Sequence, residues 1–173
     1  MRYFRKLAVA AVGAVTLVAA VAINVGASES TLIEFDAMTG VSPAGVNVTN
    51  DRGIKAGGAP WVISTGTGEV DRQGRLEVHV RGLIIPVLTP PHNPVGSFSA
   101  VVSCLNPDGG VTNVLTAPVS TGMSGNADFE TTVALPHPCK SPEVFVGFVK
   151  PPTPPQTTGT FIWFAHSNVE GDD

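Results

Sequence analysis

The chain has 173 residues, 43% of them hydrophobic and only 14% charged, with a formal net charge of −4. That is enough for one domain with a real core. The basic residues after the N-terminal segment (Arg52, Lys55, Arg72, Arg75, Arg81, Lys140, Lys150) are scattered, which argues against a nucleic-acid partner.

Residues 1–27 read as a secretory signal peptide. Arg2, Arg5 and Lys6 form a basic start, Leu7 to Ile23 is a largely apolar run, and Val25-Gly26-Ala27 offers small residues for cleavage after Ala27. Cleavage removes three positive charges and moves the formal net charge from −4 to −7. The apolar run, about 17 residues, is at the lower limit of a membrane span, so membrane attachment is expected only if the segment stays uncleaved. Either outcome places the domain, residues 28–167, outside the cytoplasm, secreted or at the cell surface.

Thr31 to Ala37 is the first predicted strand, with Ile33 and Phe35 facing inward. Residues 38–59, rich in Gly, Asn and Ser, read as a long loop that contains the sequon Asn47-Val48-Thr49. Pro60-Trp61-Val62-Ile63-Ser64 opens a second strand that runs to Val70. Asp71-Arg72-Gln73-Gly74 is a type I turn with a glycine bulge, and the third strand is Arg75 to Ile85. That turn sets Val70 opposite Leu76, Thr67 near His79 and Thr65 near Arg81. His79 and Arg81 thereby fall on a wet face.

Pro86 to Pro94 is a proline-rich crossover that cannot sit inside a sheet. Ser97 to Leu105 is the central strand, apolar on both faces. The turn Asn106-Pro107-Asp108-Gly109 pairs Leu105 with Val111, Val102 with Val114 and Val101 with Leu115. From Asn126 to Leu135, Ala127, Phe129, Thr131, Val133 and Leu135 alternate with Asp128, Glu130 and Thr132. Pro136-His137-Pro138-Cys139 is a rigid corner. Glu143 to Val149 and Phe161 to Ala165 are the last strands, followed by an acidic tail, residues 168–173.

Cys104 has one intramolecular partner available, Cys139. In an exported chain a disulfide is the favoured reading, closing a loop of about 36 residues worth roughly 4 kcal/mol in the chain-entropy picture. Two buried free thiols are the alternative. About eight short strands with many turn signals give an all-β chain: an antiparallel β-sandwich with Greek-key, immunoglobulin-like connections, with a small barrel or jelly roll as the alternative. In sandwiches of that kind a buried tryptophan packs beside an inter-sheet disulfide, a role open to Trp61 or Trp163.

No chemical signature names an activity. Gly122-Met123-Ser124-Gly125 lacks the spacing and context of a nucleophile elbow, and Thr65-Gly66-Thr67-Gly68 has no lysine or helix after it to make a phosphate loop. His79, His92, His137 and His166 lack metal-ligand spacing, so neither a metal nor another cofactor is expected.

Several stretches carry a resemblance: Phe35 to Val41, Gly58 to Ile63, Asn93-Pro94 with Phe98 to Cys104, Leu135-Pro136, Cys139, Pro142 to Val146 and Trp163-Phe164-Ala165. Together they resemble a group of small exported bacterial proteins. The resemblance implies a shared fold and export, and carries over no functional residue. Gly68 to Leu83 is also similar to one hairpin of CHRD-type extracellular repeats, without the paired histidines that usually follow there.

The expectation is therefore an exported, non-enzymatic β-sandwich module with a binding or structural role, meeting an extracellular ligand or surface partner. A glycan or small-molecule binding module using loops 38–59 and 86–97 is the second reading, with His79, Arg81 and His92 as candidate ligand-facing residues. An enzyme of unfamiliar design is the third.

Overall fold

Alternating apolar residues, joined by tight turns, build strands whose wet and dry faces separate cleanly. The computed structural model describes residues 31–168; the expected signal peptide, residues 1–27, and the expected tail, residues 168–173, apart from Asn168, lie outside the described residues. Eleven strands are present: β1 (Thr31–Phe35), β2 (Met38–Gly40), β3 (Lys55–Ala56), β4 (Thr65–Asp71), β5 (Arg75–Arg81), β6 (Ser97–Leu105), β7 (Val111–Leu115), β8 (Val119–Ser120), β9 (Ala127–Thr132), β10 (Lys140–Lys150) and β11 (Thr160–Ser167). They form a four-stranded sheet, β1-β4-β5-β9, packed on a seven-stranded sheet, β2-β11-β10-β6-β7, with β3 on β11 and β8 on β6. The pairing is antiparallel except for the short parallel match of β3 with β11.

The eight longer strands are those expected from the sequence; β2, β3 and β8 are the additions. Strands β5 and β9 are neighbours in one sheet, and β6 and β10 are neighbours in the other. The crossovers β5→β6 and β9→β10 therefore run side by side between the sheets, which is the Greek-key feature of a sandwich.

Both expected hairpin registers hold. Val70 pairs with Leu76, Thr67 with His79 and Thr65 with Arg81. Leu105 pairs with Val111, Val102 with Val114 and Val101 with Leu115. The turns need a residue with positive φ after the bend, and Gly74 and Gly109 supply it at +83° and +84°.

The core lies between the sheets. Leu76, Val78, Val80 and Phe129 from one side meet Phe98, Val102, Val144 and Val146 from the other, all essentially inaccessible. Trp61 stacks on Phe164 with ring centroids 3.9 Å apart and meets Phe98 edge-on. A face-on stack and edge contacts of this kind add about 0.5–1.5 kcal/mol each beyond the area they bury.

Three expectations change. Residues 60–64 are not strand: Trp61 is anchored by its N–H to Val41 O, and Val62 makes one isolated bridge to Ile84. Residues 38–59 are not a free loop, because β2 and β3 both dock on β11, whose sequence could not announce such distant partners. The disulfide is not inter-sheet. Cys104 lies at the end of β6 and Cys139 just before β10, beside the pair Lys140–Leu105, so the bond ties neighbouring strands of one sheet. Trp61 packs with Phe98 and Phe164, and Trp163 with Phe145 on the outer side of that sheet.

The Cys104–Cys139 bond closes a segment of sequence separation 35. Reduction, or replacement of both cysteines by alanine, is expected to lower unfolding stability by about 2–4 kcal/mol, read from the midpoint of chemical denaturation. An unchanged midpoint would mean that the sheet alone holds the two strands.

Candidate functional site

The outer face of the four-stranded sheet is where polar side chains gather. Residues at alternate positions of β1, β4, β5 and β9 point outward, and the registers stack them in rows. Glu34 is opposite Glu69, Glu69 opposite Glu77, and Glu77 opposite Glu130. One row thus carries a glutamate on every strand of the sheet. Like charges directly opposite one another destabilise a sheet by up to about 1 kcal/mol per pair.

The next row runs Thr67, His79, Asp128. His79 Nδ1 lies 2.7 Å from Asp128 Oδ1, and Nε2 lies 3.0 Å from Glu77 Oε1. A single imidazole can donate to both carboxylates only when it is protonated. Arg81 Nη2 donates to the same Asp128 oxygen at 2.7 Å, while its Nη1 donates to the carbonyls of Val80 and Ala127. Hydrogen bonding to Asp128, and then to Glu77, holds the His79 pKa above its usual 6.5. Hydrogen bonds from His79 and then Arg81 hold Asp128 below its usual 3.8. Between β1, β4 and β5 this face has a shallow depression of about 300 Å³, lined by Glu34, Asp36, Thr67, Glu69, Glu77 and His79.

The structure brings two of the candidate residues together and separates the third. His79 and Arg81 meet through Asp128. His92 lies in the crossover, where its backbone bridges Ile85 and its Nδ1 pairs with Pro90 O at 2.7 Å. Loop 86–97 is bonded to itself and to its neighbours: buried Asn93 donates to the carbonyls of Val95 and Gly122. Glu34, Asp36, Thr67, Glu69, Glu77 and Asp128 are not among the site residues named from the sequence. Their signal was present in the strand alternation, but their alignment required knowing which strands are neighbours.

A second polar cluster lies on the outer side of the seven-stranded sheet, under the segment between β2 and β3. Arg52, one of the basic residues scattered along the sequence, is 8% exposed. Its Nη2 donates to Ser141 O at 2.8 Å and its Nε lies 3.4 Å from Glu143 Oε2. The other Glu143 oxygen is 2.9 Å from His166 Nδ1, and His166 stacks on Phe145. Around them Ile54, Val101 and Phe145 form a small separate apolar cluster, with Phe161 and Trp163 packed against it. The cluster pins residues 47–56 onto the sheet. It is a structural clamp that holds that stretch against the sheet.

Among the described residues, no group of three or more His, Cys, Asp or Glu side chains is placed to hold a metal ion, and no helix is long and apolar enough to cross a membrane. Comparison with family models, with curated proteins and with solved structures finds no match to this chain.

The raised His79 pKa sets a sign. Its contribution to stability is complete below 6.5 and is lost as pH rises through the raised value. The Asp128 contribution is complete above 3.8 and is lost as pH falls through the depressed value. These groups are about half exposed, so solvent keeps the pair near 0–1 kcal/mol. In an NMR titration, the His79 ring is expected to titrate above 6.5, and Asp128→Asn is expected to bring it down. A midpoint unmoved by that substitution would contradict the pairing. The Arg52 clamp is tested by denaturation: Arg52→Ala should cost about 1–3 kcal/mol by removing the arginine from the partly buried Glu143, which keeps His166, and Arg52→Met with Glu143→Leu should recover most of it.

Proposed function

We propose that this is an exported, non-enzymatic binding module that uses the outer face of its four-stranded sheet to hold a ligand rich in hydrogen-bond donors. The observation that carries the reading is the convergence of Thr67, His79 and four carboxylates on one depression of about 300 Å³. Carboxylates accept hydrogen bonds, so the matching ligand groups are hydroxyls or ammonium groups. The glutamate row adds to the support, because it works against folding in the free protein while serving a binding surface.

Export is supported by two independent features. The N-terminal 27 residues have the composition of a signal peptide, and the Cys104–Cys139 disulfide is of a kind that persists in oxidising compartments. The site differs from the loop-based one of the second sequence reading, which used segment 38–59, here held on the sheet, and loop 86–97, here bonded to itself. The β4–β5 pairs from Gly68–Val78 to Val70–Leu76 lie within the stretch similar to a CHRD-type hairpin, and Thr67, opposite His79, lies just before it.

The test is a chemical-shift titration of the ¹⁵N-labelled protein with a glycan panel and, separately, with an oligolysine peptide. The expected outcome is perturbation centred on Glu34, Thr67, Glu69, Glu77 and His79 by one of these probes. Glu69→Gln with Glu77→Gln should weaken that binding at least tenfold while raising stability by about 0.2–1 kcal/mol through relief of like-charge contact. Perturbations mapping to another face would overturn the reading. So would turnover of a probe, abolished by substitution of a single residue.

A further inference from the structure

We infer that the free edge of β7 is a self-complementary pairing site, through which two copies of the chain join their seven-stranded sheets. The argument begins with the hydrogen-bond phase of the β6–β7 hairpin. At the turn, Asn106 N–H donates to Gly110 O at 2.8 Å; at the far end, Thr116 N–H donates to Ala100 O at 2.9 Å. Opposed residues in an antiparallel pair alternate between hydrogen-bonded and non-hydrogen-bonded. Counting inward from both ends gives the same phase. Cys104–Thr112 and Val102–Val114 are bonded pairs; Leu105–Val111, Ser103–Asn113 and Val101–Leu115 are not. The backbone N–H and C=O groups of Val111, Asn113 and Leu115 therefore point away from β6. All three residues are exposed, and their backbone N–H and C=O groups have no backbone partner among the described residues; the Asn113 side chain donates from Nδ2 to the Arg52 carbonyl at 3.0 Å.

This edge differs from the others. Strand edges are usually blunted by charge, proline or shortness. Edge strand β1 carries Glu34, edge strand β9 carries Asp128 and Glu130, and β2 and β3 have three and two residues. Strand β7, Val-Thr-Asn-Val-Leu, has no charge and no proline, and all of its residues except Asn113 are β-branched or apolar.

The sequence of β7 also matches itself in reverse. A two-fold axis at Asn113 places Val111 of one copy opposite Leu115 of the other, Thr112 opposite Val114, and Asn113 opposite Asn113. Val111 and Leu115 are among the exposed large hydrophobic residues, at 37% and 45%, and this pairing covers both. The outward-pointing groups fall in phase, giving about six inter-chain hydrogen bonds. The nearest charge, Asp108 at the hairpin tip, comes opposite Pro118 of the second copy, so no like charges meet along the strip. Pro107 and Pro118 bound the strand and limit its pairing length, which sets one register.

A single edge buries less than the roughly 1,200 Å² of a stable interface, so the dimer is weak and concentration-dependent. Both copies are acidic overall, so the association tightens as salt screens their repulsion. The second copy is favoured over a foreign strand because the apolar, neutral and register-limiting features complement one another within β7 itself.

The experiment is sedimentation equilibrium of the protein over about 10 μM to 1 mM, at low and high salt, a range chosen for a weak interface. A reversible dimer that strengthens with salt is expected. Asn113→Pro removes the outward N–H at the axis without breaking a backbone bond to β6, at the loss of the side-chain bond to Arg52 O, and Leu115→Glu places like charge along the edge. Each should weaken the dimer at least tenfold, with Leu115→Glu leaving the thermal unfolding midpoint of the monomer unchanged. Asn113→Cys should form a covalent dimer under mild oxidation much faster than Thr132→Cys, a control on the edge of the other sheet. A monomer throughout the range overturns the inference. So does a dimer equally tight in both edge variants, or a cross-link no faster at residue 113 than at 132.

Discussion

Strand β6 is buried on both faces, and most of the molecule is arranged to keep it so. Phe98, Ala100, Val102 and Cys104 face the inter-sheet core, while Ser99, Val101 and Ser103 are covered from outside. A strand of this kind cannot sit at an edge, because its backbone and both side-chain faces need partners. β10 lies on one side of it and β7 with β8 on the other. The disulfide holds the end of β6 against the start of β10. The strap carrying Ile54 closes the outer face over Val101 and Phe145.

The two sheets treat their outer faces differently, and the difference has a physical basis. The seven-stranded sheet covers its outer side with chain, at the cost of burying Arg52 and therefore of supplying Glu143 and the Ser141 carbonyl to receive it. The four-stranded sheet leaves its outer side to water and fills it with charge. There the aligned glutamates repel one another, and His79, when protonated, is a cation set among them, shared between Asp128 and Glu77. Loss of its proton would leave one of those carboxylates facing a ring nitrogen lone pair. The face therefore becomes more negative as pH rises through the His79 titration.

These features divide the surface by role. One face is closed by a clamp and contributes to stability. Another is open, polar and concave, and can exchange water for a ligand. The β7 edge carries neither charge nor cover. Edge pairing at β7 would extend the seven-stranded sheet and leave the four-stranded face of each copy free, so ligand binding and self-association need not compete.

The sequence by itself determined the strand class, the two hairpin registers and the cysteine pairing. Each rests on local information: alternation at period two, turn residues that demand positive φ at Gly74 and Gly109, and only two cysteines to join. It also put His79 and Arg81 on a wet face, because they alternate with Leu76, Val78 and Val80. Only the tertiary structure decided which hairpins are neighbours. Pairing β5 with β9 brought Asp128 to His79 across 49 residues, and folding the segment before β3 onto β10 brought Arg52 to Glu143 across 91. Nothing local distinguishes those partners from other carboxylates of the chain. Their choice follows from how two sheets bury a shared core, a property of the whole packing rather than of any one stretch.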